Sequence, residues 1–127
     1  MKKILLVDDS AVDLAAAENL LKDKYETFVS KSGREALCHL SNGLIPDLIL
    51  LDIIMPEMDG WDMLISLKGI SMLWDVPIVF LTSLDNEADK ERAASLGAAG
   101  FITKPYSKQE LLQQIETLME KKPKKII

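Results

Sequence analysis

The sequence predicts an α/β fold in which a five-stranded parallel sheet carries five helices on its two faces. Short runs of branched apolar residues alternate with segments of helical periodicity along the chain. The run LILL at residues 48–51 shows no polar alternation, which is typical of a strand covered on both sides. Strands that alternate with helices in this way are joined by right-handed crossovers, so we expect a doubly wound sheet.

Five apolar runs supply the strands. The first, third and fourth are KILLVDD, PDLILLD and VPIVFLTS, which are continuous enough to be buried on both faces. YETFVSK alternates in polarity and predicts a shorter strand at an edge of the sheet, and AGFITKP predicts a short fifth strand. Because the strands are parallel, the loops that follow them share one edge, where open α/β folds place their sites.

Caps and periodicity bound the helices. The first helix is expected from a cap at Ser10 to about Lys22, and the third from Gly60 to about Leu67. Two capping boxes, SGRE and SKQE, open the second and fifth helices. The fourth, NEADKERAASLG, is mostly polar, and we expect it to be loosely anchored and suited to move. Residues near helical spacing are Val12, Ala15, Ala16, Asn19 and Leu20 in the first helix and Leu111, Leu112, Ile115, Leu118 and Met119 in the last.

The composition is that of one globular domain. The chain has 127 residues, of which 48% are hydrophobic and 28% charged, enough for a single core. Its net charge of −5 argues against direct binding of nucleic acid, which depends on a cationic surface. No apolar run approaches the roughly 20 residues that span a bilayer. A single cysteine, Cys38, excludes an internal disulfide, and together these features predict a cytoplasmic protein.

The last residues are predicted to be a tail. We expect one domain over residues 1–122 and a lysine-containing, solvated segment over 123–127, with Pro123 ending the last helix. Lysines at a helix C-terminus also complement the helix dipole. The length leaves no room for a second domain, so we expect either a stand-alone module or one cut from a longer protein.

Polar side chains follow four of the five strands at the edge that the strand ends share. We expect three carboxylates, a hydroxyl group and an ammonium group to converge there on one small cleft. A carboxylate is costly to bury without a partner, so a strand as apolar as PDLILLD has a functional reason to end in one. The residues are Asp8 and Asp9 after the first strand, Asp52 after the third, Thr82 and Ser83 after the fourth, and Lys104 with Pro105 after the fifth.

This set of groups predicts a site for a phosphoryl group and a magnesium ion. Like charges a few Å apart repel by roughly 1 kcal/mol per pair in water and by more in a drier cleft, so the carboxylates need a cation. Ligands that are all oxygen favour Mg²⁺, which leaves positions open for phosphate oxygens. A lysine and a hydroxyl group suit the remaining phosphoryl oxygens. Asp52 is then expected to be a nucleophile that forms an aspartyl phosphate.

The chain resembles the receiver domain of bacterial two-component response regulators along essentially its whole length. The resemblance rests on ILLVDDS, DLILLDIIMPEMDG, PIVFLTS and GAAGFITKPYS. It implies a flavodoxin-like fold with strand order 2-1-3-4-5 and a signalling switch rather than an enzyme. It also implies two kinds of partner. One is a sensor histidine kinase or histidine phosphotransfer protein that donates the phosphoryl group, and the other is a downstream protein target.

The resemblance implies how the site is used. Asp52 would accept the phosphoryl group, and Thr82 and Lys104 would hold its oxygens. Phe101 would turn inward when Thr82 moves toward the phosphate. Phe101 lacks the hydroxyl group of a tyrosine, so packing alone would couple it to the site. The peptide between Lys104 and Pro105 is expected to be cis.

The resemblance also implies the ligands of the magnesium ion. They are Asp9, Asp52 and the backbone carbonyl of Ile54, with Asp8 acting through a bound water. Ile54 and Leu84 would flank the approach of a hydrolytic water. Both side chains are branched and apolar, so they can exclude a water but cannot orient it, which predicts a long-lived phosphorylated state.

Two other functions use a similar edge chemistry. A Mg²⁺-dependent phosphohydrolase with an aspartyl nucleophile needs a second carboxylate two residues after the nucleophile, and Ile54 stands there. A flavin-binding domain needs a phosphate cradle rich in glycine and hydroxyl groups, whereas the first loop, DDSAVD, is acidic. The only histidine, His39, is expected to be a surface or half-buried residue of a helix and not a phosphodonor. Trp61 is expected to pack near the site, and Trp74 has no evident role.

Overall fold

One sheet of five parallel strands runs through the molecule. The computed structural model describes residues 1–120, so the predicted helix end at Pro123 and the tail at 123–127 lie outside the described residues. The order across the sheet is 2-1-3-4-5, which confirms the doubly wound prediction and places YETFVSK at an edge. The strands are β1 (Lys3–Val7), β2 (Glu26–Ser30), β3 (Leu48–Leu51), β4 (Ile78–Thr82) and β5 (Gly100–Thr103).

Helices connect the strands and cover both faces of the sheet. Within residues 1–120 there are five α-helices, as predicted, and one short 3-10 helix at Ser71–Leu73 that the sequence did not predict. None of the helices in this range combines the length and apolarity that a bilayer span needs. The α-helices are α1 (Ala11–Leu21), α2 (Gly33–Ser41), α3 (Gly60–Lys68), α4 (Glu87–Ser95) and α5 (Lys108–Glu120).

Side-chain caps fix where the helices begin. The hydroxyl group of Ser32 accepts a hydrogen bond from the backbone N–H of Glu35 at 3.0 Å, and that of Ser107 accepts one from Glu110 at 3.1 Å. The predicted cap at Ser10 is also present. Each cap satisfies a backbone donor that the first turn of a helix leaves unpaired. Each α-helix also follows a strand in the chain, so each begins near the carboxyl edge of the sheet, where the strands end.

The hydrophobic core has two layers, one on each face of the sheet. Successive residues of β3 serve opposite layers: Ile49 and Leu51 pack with α2, α3 and α4, whereas Leu48 and Leu50 pack with α1 and α5. All four residues are at most 2% exposed, which confirms the reading of LILL as a strand covered on both sides. The apolar stripe of α5 is also confirmed, with Leu111, Ile115 and Met119 buried.

The predicted spacing in α1 is wrong about which side faces the core. The buried residues are Leu14, Ala17 and Leu21, whereas Val12 is 78% exposed. Ala15, Ala16 and Asn19 are exposed as well, and only Leu20 of the predicted set packs in part against the core. The helix is apolar on nearly every side, so periodicity alone does not select the buried face.

Candidate functional site

Three carboxylates meet where β1 and β3 end. Asp8 and Asp9 follow β1, Asp52 follows β3, and one carboxylate oxygen of each lies within 4.8 Å of the others. The two strands are neighbours, with Val7 paired to Leu51, and the backbone N–H of Asp52 donates to the carbonyl of Val7 at 2.9 Å. The structure therefore brings together the three carboxylates that the sequence predicted to converge.

The carboxylates differ in burial and in their hydrogen bonds. Asp8 and Asp52 are nearly buried, whereas Asp9 is exposed. Asp8 accepts a hydrogen bond from the backbone N–H of Ser10 at 2.9 Å, and Asp52 Oδ1 accepts one from Ile53 at 2.7 Å. Burial raises the pKa of Asp8 above its ordinary value. Hydrogen bonds from Lys104 and Ser10 lower this pKa in part, and the charge of Asp52 raises it further.

Lys104 neutralises part of this charge. Its Nζ donates to Asp8 Oδ2 at 2.7 Å and to Asp13 Oδ2 at 2.8 Å, and it lies 3.5 Å from Asp52 Oδ2. Burial alone lowers the pKa of Lys104, but the hydrogen bonds to Asp13 and Asp8 and the charge of Asp52 outweigh burial, so the pKa is raised. The Lys104–Pro105 peptide is cis, as predicted.

Asp13 is a contact of Lys104 that the sequence reasoning missed. It lies in the first turn of α1, with its side chain 45% exposed. The sequence signal that could have found it is its position three residues after the Ser10 cap. This position places Asp13 in the first turn of α1, near the edge of the sheet where the strands end. Asp13 and Lys104 also line an open cleft of about 500 Å³, together with Ala16, Leu20, Ser83, Pro105 and Tyr106.

Thr82 is the last residue of β4 and is fully buried. Its Oγ1 accepts a hydrogen bond of 3.3 Å from the backbone N–H of Leu84. The strand pairs with β5 so that Thr82 lies opposite Thr103, and the N–H of Lys104 donates to the carbonyl of Thr82 at 2.8 Å. A backbone hydrogen bond therefore joins Thr82 to Lys104. Ser83, the other hydroxyl residue predicted at this strand end, is exposed.

A row of aromatic rings runs from β5 into the core. Phe101 is half-buried, and its ring is 6.1 Å from that of Phe80 in an edge-to-face arrangement. Phe80 meets Trp61 in the same way at 5.2 Å, and the guanidinium group of Arg92 lies 4.1 Å from the centre of the Trp61 ring. Trp61 is buried, so the prediction that it packs is confirmed. Inward rotation of Phe101 stays a prediction.

The loop after β3 makes a very close return to the strand end. The N–H of Gly60 donates to the carbonyl of Ile53 at 2.7 Å. A Cβ atom on Gly60 would lie 2.5 Å from the backbone oxygen of Asp52 and 2.5 Å from the Cα of Ile53, so only glycine fits there without a shift. In the same loop Ile54 is 58% exposed, whereas Leu84, two residues after Thr82, is half-buried.

His39 lies outside the carboxylate group. It is half-buried on α2, and its Nδ1 is 2.9 Å from the hydroxyl group of Ser30 at the end of β2. This confirms the expected half-buried position. The imidazole has a neutral hydrogen-bond partner in Ser30, which accounts for its place in the fold.

The donor set suits a hard divalent cation. Asp8, Asp13 and Asp52 lie around the ammonium of Lys104. Asp9 lies beside Asp8 and Asp52, so four carboxylates form one group, and two of the four are nearly buried. One ammonium leaves this group with an excess of negative charge, which burial makes costly. Carboxylate oxygens are also the ligands that Mg²⁺ prefers. The residues present therefore fit a magnesium ion.

Comparison with known proteins places this fold in one class, the receiver domains of two-component systems. Residues 4–116 match the response regulator receiver domain family, and the chain belongs to that family. It is a signalling domain of two-component systems, and the phosphohydrolase alternative is not favoured.

Two curated relatives and one solved structure illustrate the match. The chain is 32% identical over 122 residues to the transcriptional regulatory protein PcoR of Escherichia coli. The matched region covers 95% of this chain and 53% of PcoR. It is 33% identical over 125 residues to the response regulator SaeR of Staphylococcus aureus, covering 98% and 53%. It therefore spans about half the length of these two regulators. The chemotaxis protein CheY4 of Vibrio cholerae is 30% identical, with a TM-score of 0.87 over 93% of this chain and 98% of CheY4.

Proposed function

We propose that this receiver accepts a phosphoryl group on Asp52 from a histidine kinase or histidine phosphotransfer protein and signals to a downstream protein through a change of shape. The single observation that supports this best is the convergence of Asp8, Asp9, Asp52 and Lys104 at one edge of the sheet. We place the domain at residues 1–122, followed by a tail. The single cysteine of the chain supports a cytoplasmic setting.

Asp52 is the acceptor in this proposal because of where its two oxygens lie. Oδ1 accepts a hydrogen bond from Ile53, whereas Oδ2 faces the ammonium of Lys104 at 3.5 Å. In the transfer, a carboxylate oxygen of Asp52 forms a bond to phosphorus as the bond from phosphorus to the donor histidine nitrogen breaks. The nitrogen keeps the electron pair, and a donor histidine that is protonated on its other ring nitrogen is released as neutral imidazole.

Mg²⁺ would be held by Asp9, Asp52 and the carbonyl of Ile54, with Asp8 acting through a water. When bound, it would offset the negative charge of the phosphoryl oxygens and of the carboxylates around them. The arrangement of burial supports these roles. Asp9 is exposed and accessible to an ion from solvent, whereas the nearly buried Asp8 is fixed by Ser10 and Lys104.

Thr82 and Lys104 would bind the phosphoryl oxygens. The hydrogen bond that Thr82 now accepts from Leu84 is 3.3 Å, at the long end of the useful range, so exchanging it for a phosphate contact costs little. A shift of the hydroxyl group would leave space in the core beside β5. The ring of Phe101 on β5, already packed against Phe80, is the aromatic side chain that we expect to respond.

Radiolabelled acetyl phosphate in Mg²⁺ tests the proposal. The parent protein should gain label that is lost in hydroxylamine, as an acyl phosphate is, and Asp52→Asn should gain none. Asp59→Asn is a matched control, because Asp59 caps α3 and asparagine caps a helix equally well. Label that persists on Asp52→Asn at the parent level would contradict the assignment. Phosphate-ester turnover by the parent would instead support a phosphohydrolase.

A further inference from the structure

The ammonium of Lys104 is bound on two sides by carboxylates other than the proposed acceptor. Asp8 and Asp13 accept its hydrogen bonds at 2.7 and 2.8 Å, whereas Asp52 is 3.5 Å away, beyond good hydrogen-bond geometry. The Asp13 bond joins α1 to the segment after β5, across 91 residues of sequence. It is therefore a tertiary contact and not a consequence of local helix geometry.

The two bonds differ in how easily they can be exchanged. The side chain of Asp8 is 8% exposed, and its other oxygen is tied to Ser10, so it cannot leave the site. The side chain of Asp13 is 45% exposed and can turn into solvent, where its charge is well hydrated. When Lys104 changes partners, the Asp13 bond is the one that opens at lower cost.

We propose that Asp13 is a positioning residue, which draws Lys104 away from Asp52 in the unphosphorylated protein and competes with the phosphoryl group for this ammonium. The inference rests on the proposed function. A phosphoryl group carries about two negative charges, so it outcompetes a single half-exposed carboxylate. Its arrival on Asp52 thus releases α1 from the segment after β5. Asp13 sets the cost of that exchange.

A purely structural role for Asp13 makes a different prediction. A carboxylate in the first turn of a helix interacts favourably with the helix dipole. The backbone N–H of Asp13 also donates to the hydroxyl group of the capping residue Ser10, at 3.2 Å. If that were its whole role, Asp13→Asn would lower the stability of α1 slightly and leave phosphoryl binding unchanged. Binding measurements therefore separate the two roles.

The experiment measures the affinity of the full chain for beryllofluoride, a phosphoryl mimic, in Mg²⁺ by titration calorimetry. Asp13→Asn should bind it roughly two- to fivefold more tightly than the parent, the range expected for a partly exposed ion pair. Asp13→Glu, which keeps the charge, should return toward the parent value. Glu57→Gln is the matched control, since it removes one negative charge from the exposed loop after β3, and it should stay near the parent.

The role of Lys104 is tested by a double-mutant cycle. In a Lys104→Ala background, Asp13→Asn should no longer change the affinity, because there is no ammonium to compete for. An equal gain with Glu57→Gln, or a gain that persists without Lys104, would assign the effect to general charge and overturn the inference. So would an unchanged affinity of Asp13→Asn beside a parent that binds. A parent that binds no beryllofluoride would overturn the proposed function itself.

Discussion

Lys104 connects carboxylates from different parts of the chain, which is why its loss has an unusual expected effect. It contacts Asp8, Asp13 and Asp52. Removing its charge leaves the carboxylates to repel one another, and their combined field then favours a divalent cation more strongly. In the proposed site the lysine and a bound metal would therefore be partial substitutes, although they would serve different atoms of a bound phosphoryl group.

Lys104→Ala should bind Mg²⁺ with unchanged or up to about tenfold higher affinity, since a like-charge cluster gains most from an added cation. It should fail to carry phosphorylation to the Phe101 region. Mg²⁺ titration followed by the fluorescence of the buried Trp61 measures the first effect, in a Trp74→Phe background that removes the exposed indole. A clear loss of metal affinity would contradict this view of the site.

Gly60 lies so close to the backbone of Asp52 and Ile53 that a larger residue does not fit there without a shift. Gly60→Ala should lower the free energy of unfolding by about 1–3 kcal/mol, because the new methyl group overlaps the Asp52 and Ile53 backbone. It should also displace Asp52 and slow labelling. Urea unfolding measures the first effect. Gly69→Ala is the control: its Cβ would lie 3.4 Å from the nearest atom, so it should be neutral or slightly stabilising.

At the scale of elements, α4 is held by few contacts. Ala93 is its only buried residue, so the prediction that the helix is weakly anchored has support, while its movement stays a prediction. Arg92 adds a cation–π contact to Trp61 on α3, at the end of the aromatic row that begins at Phe101. Through Trp61, this contact connects α4 to Phe80, which lies two residues before Thr82 on β4.

Arg92→Gln should lower the free energy of unfolding by about 0.5–1 kcal/mol, the usual size of an exposed cation–π contact. It should also weaken the change in Trp61 fluorescence that beryllofluoride causes. Arg34→Gln is the matched control, because it removes the same side chain from an exposed position on α2. If both variants respond to beryllofluoride as the parent does, Arg92 does not couple α4 to the aromatic row.

We expect the loops after β3 and β4 to control the access of water to a phosphoryl group on Asp52. Replacing Ile54 by Asn together with Leu84 by Glu should speed loss of phosphate by about 10- to 100-fold, or 1.4–2.8 kcal/mol of barrier. Polar side chains can orient an in-line water that the two apolar ones only exclude. The decay of label after donor removal measures this rate. Ile65→Asn, equally exposed on α3, should decay like the parent, and no faster decay in the double variant would refute the idea.

Elements were predictable where one pattern dominates. LILL has no polar alternation, and the serine caps mark helix starts, so β3, α1, α2 and α5 follow from local rules. The buried face of α1 was not predictable in this way. Its alanines lie on several sides of the helix, and the burial of Leu14 and Leu21 depends on packing against the assembled sheet and α5. β3, β4 and α5 lie far away in sequence.

At the scale of the whole molecule, topology assembles the site. Parallel strands end at one edge, so residues separated by up to 96 positions, such as Asp8 and Lys104, become neighbours. The set Asp8, Asp9, Asp52, Thr82 and Lys104 could be predicted from strand ends and from the family resemblance. The Asp13 bond and the Arg92–Trp61 contact could not, because the long side chains of Lys104 and Arg92 reach partners that only the packed structure determines.

The central claim, that Asp52 is the phosphoryl acceptor, is tested most directly by trapping the acyl phosphate. The protein is treated with acetyl phosphate and Mg²⁺ and then with borohydride, which reduces an aspartyl phosphate to homoserine, and the modified residue is located by peptide mass spectrometry. We predict homoserine at position 52 alone, and only when the phosphodonor is present. Reduction at Asp8, Asp9 or Asp13, or no reduction in a protein that has taken up label, would contradict the account.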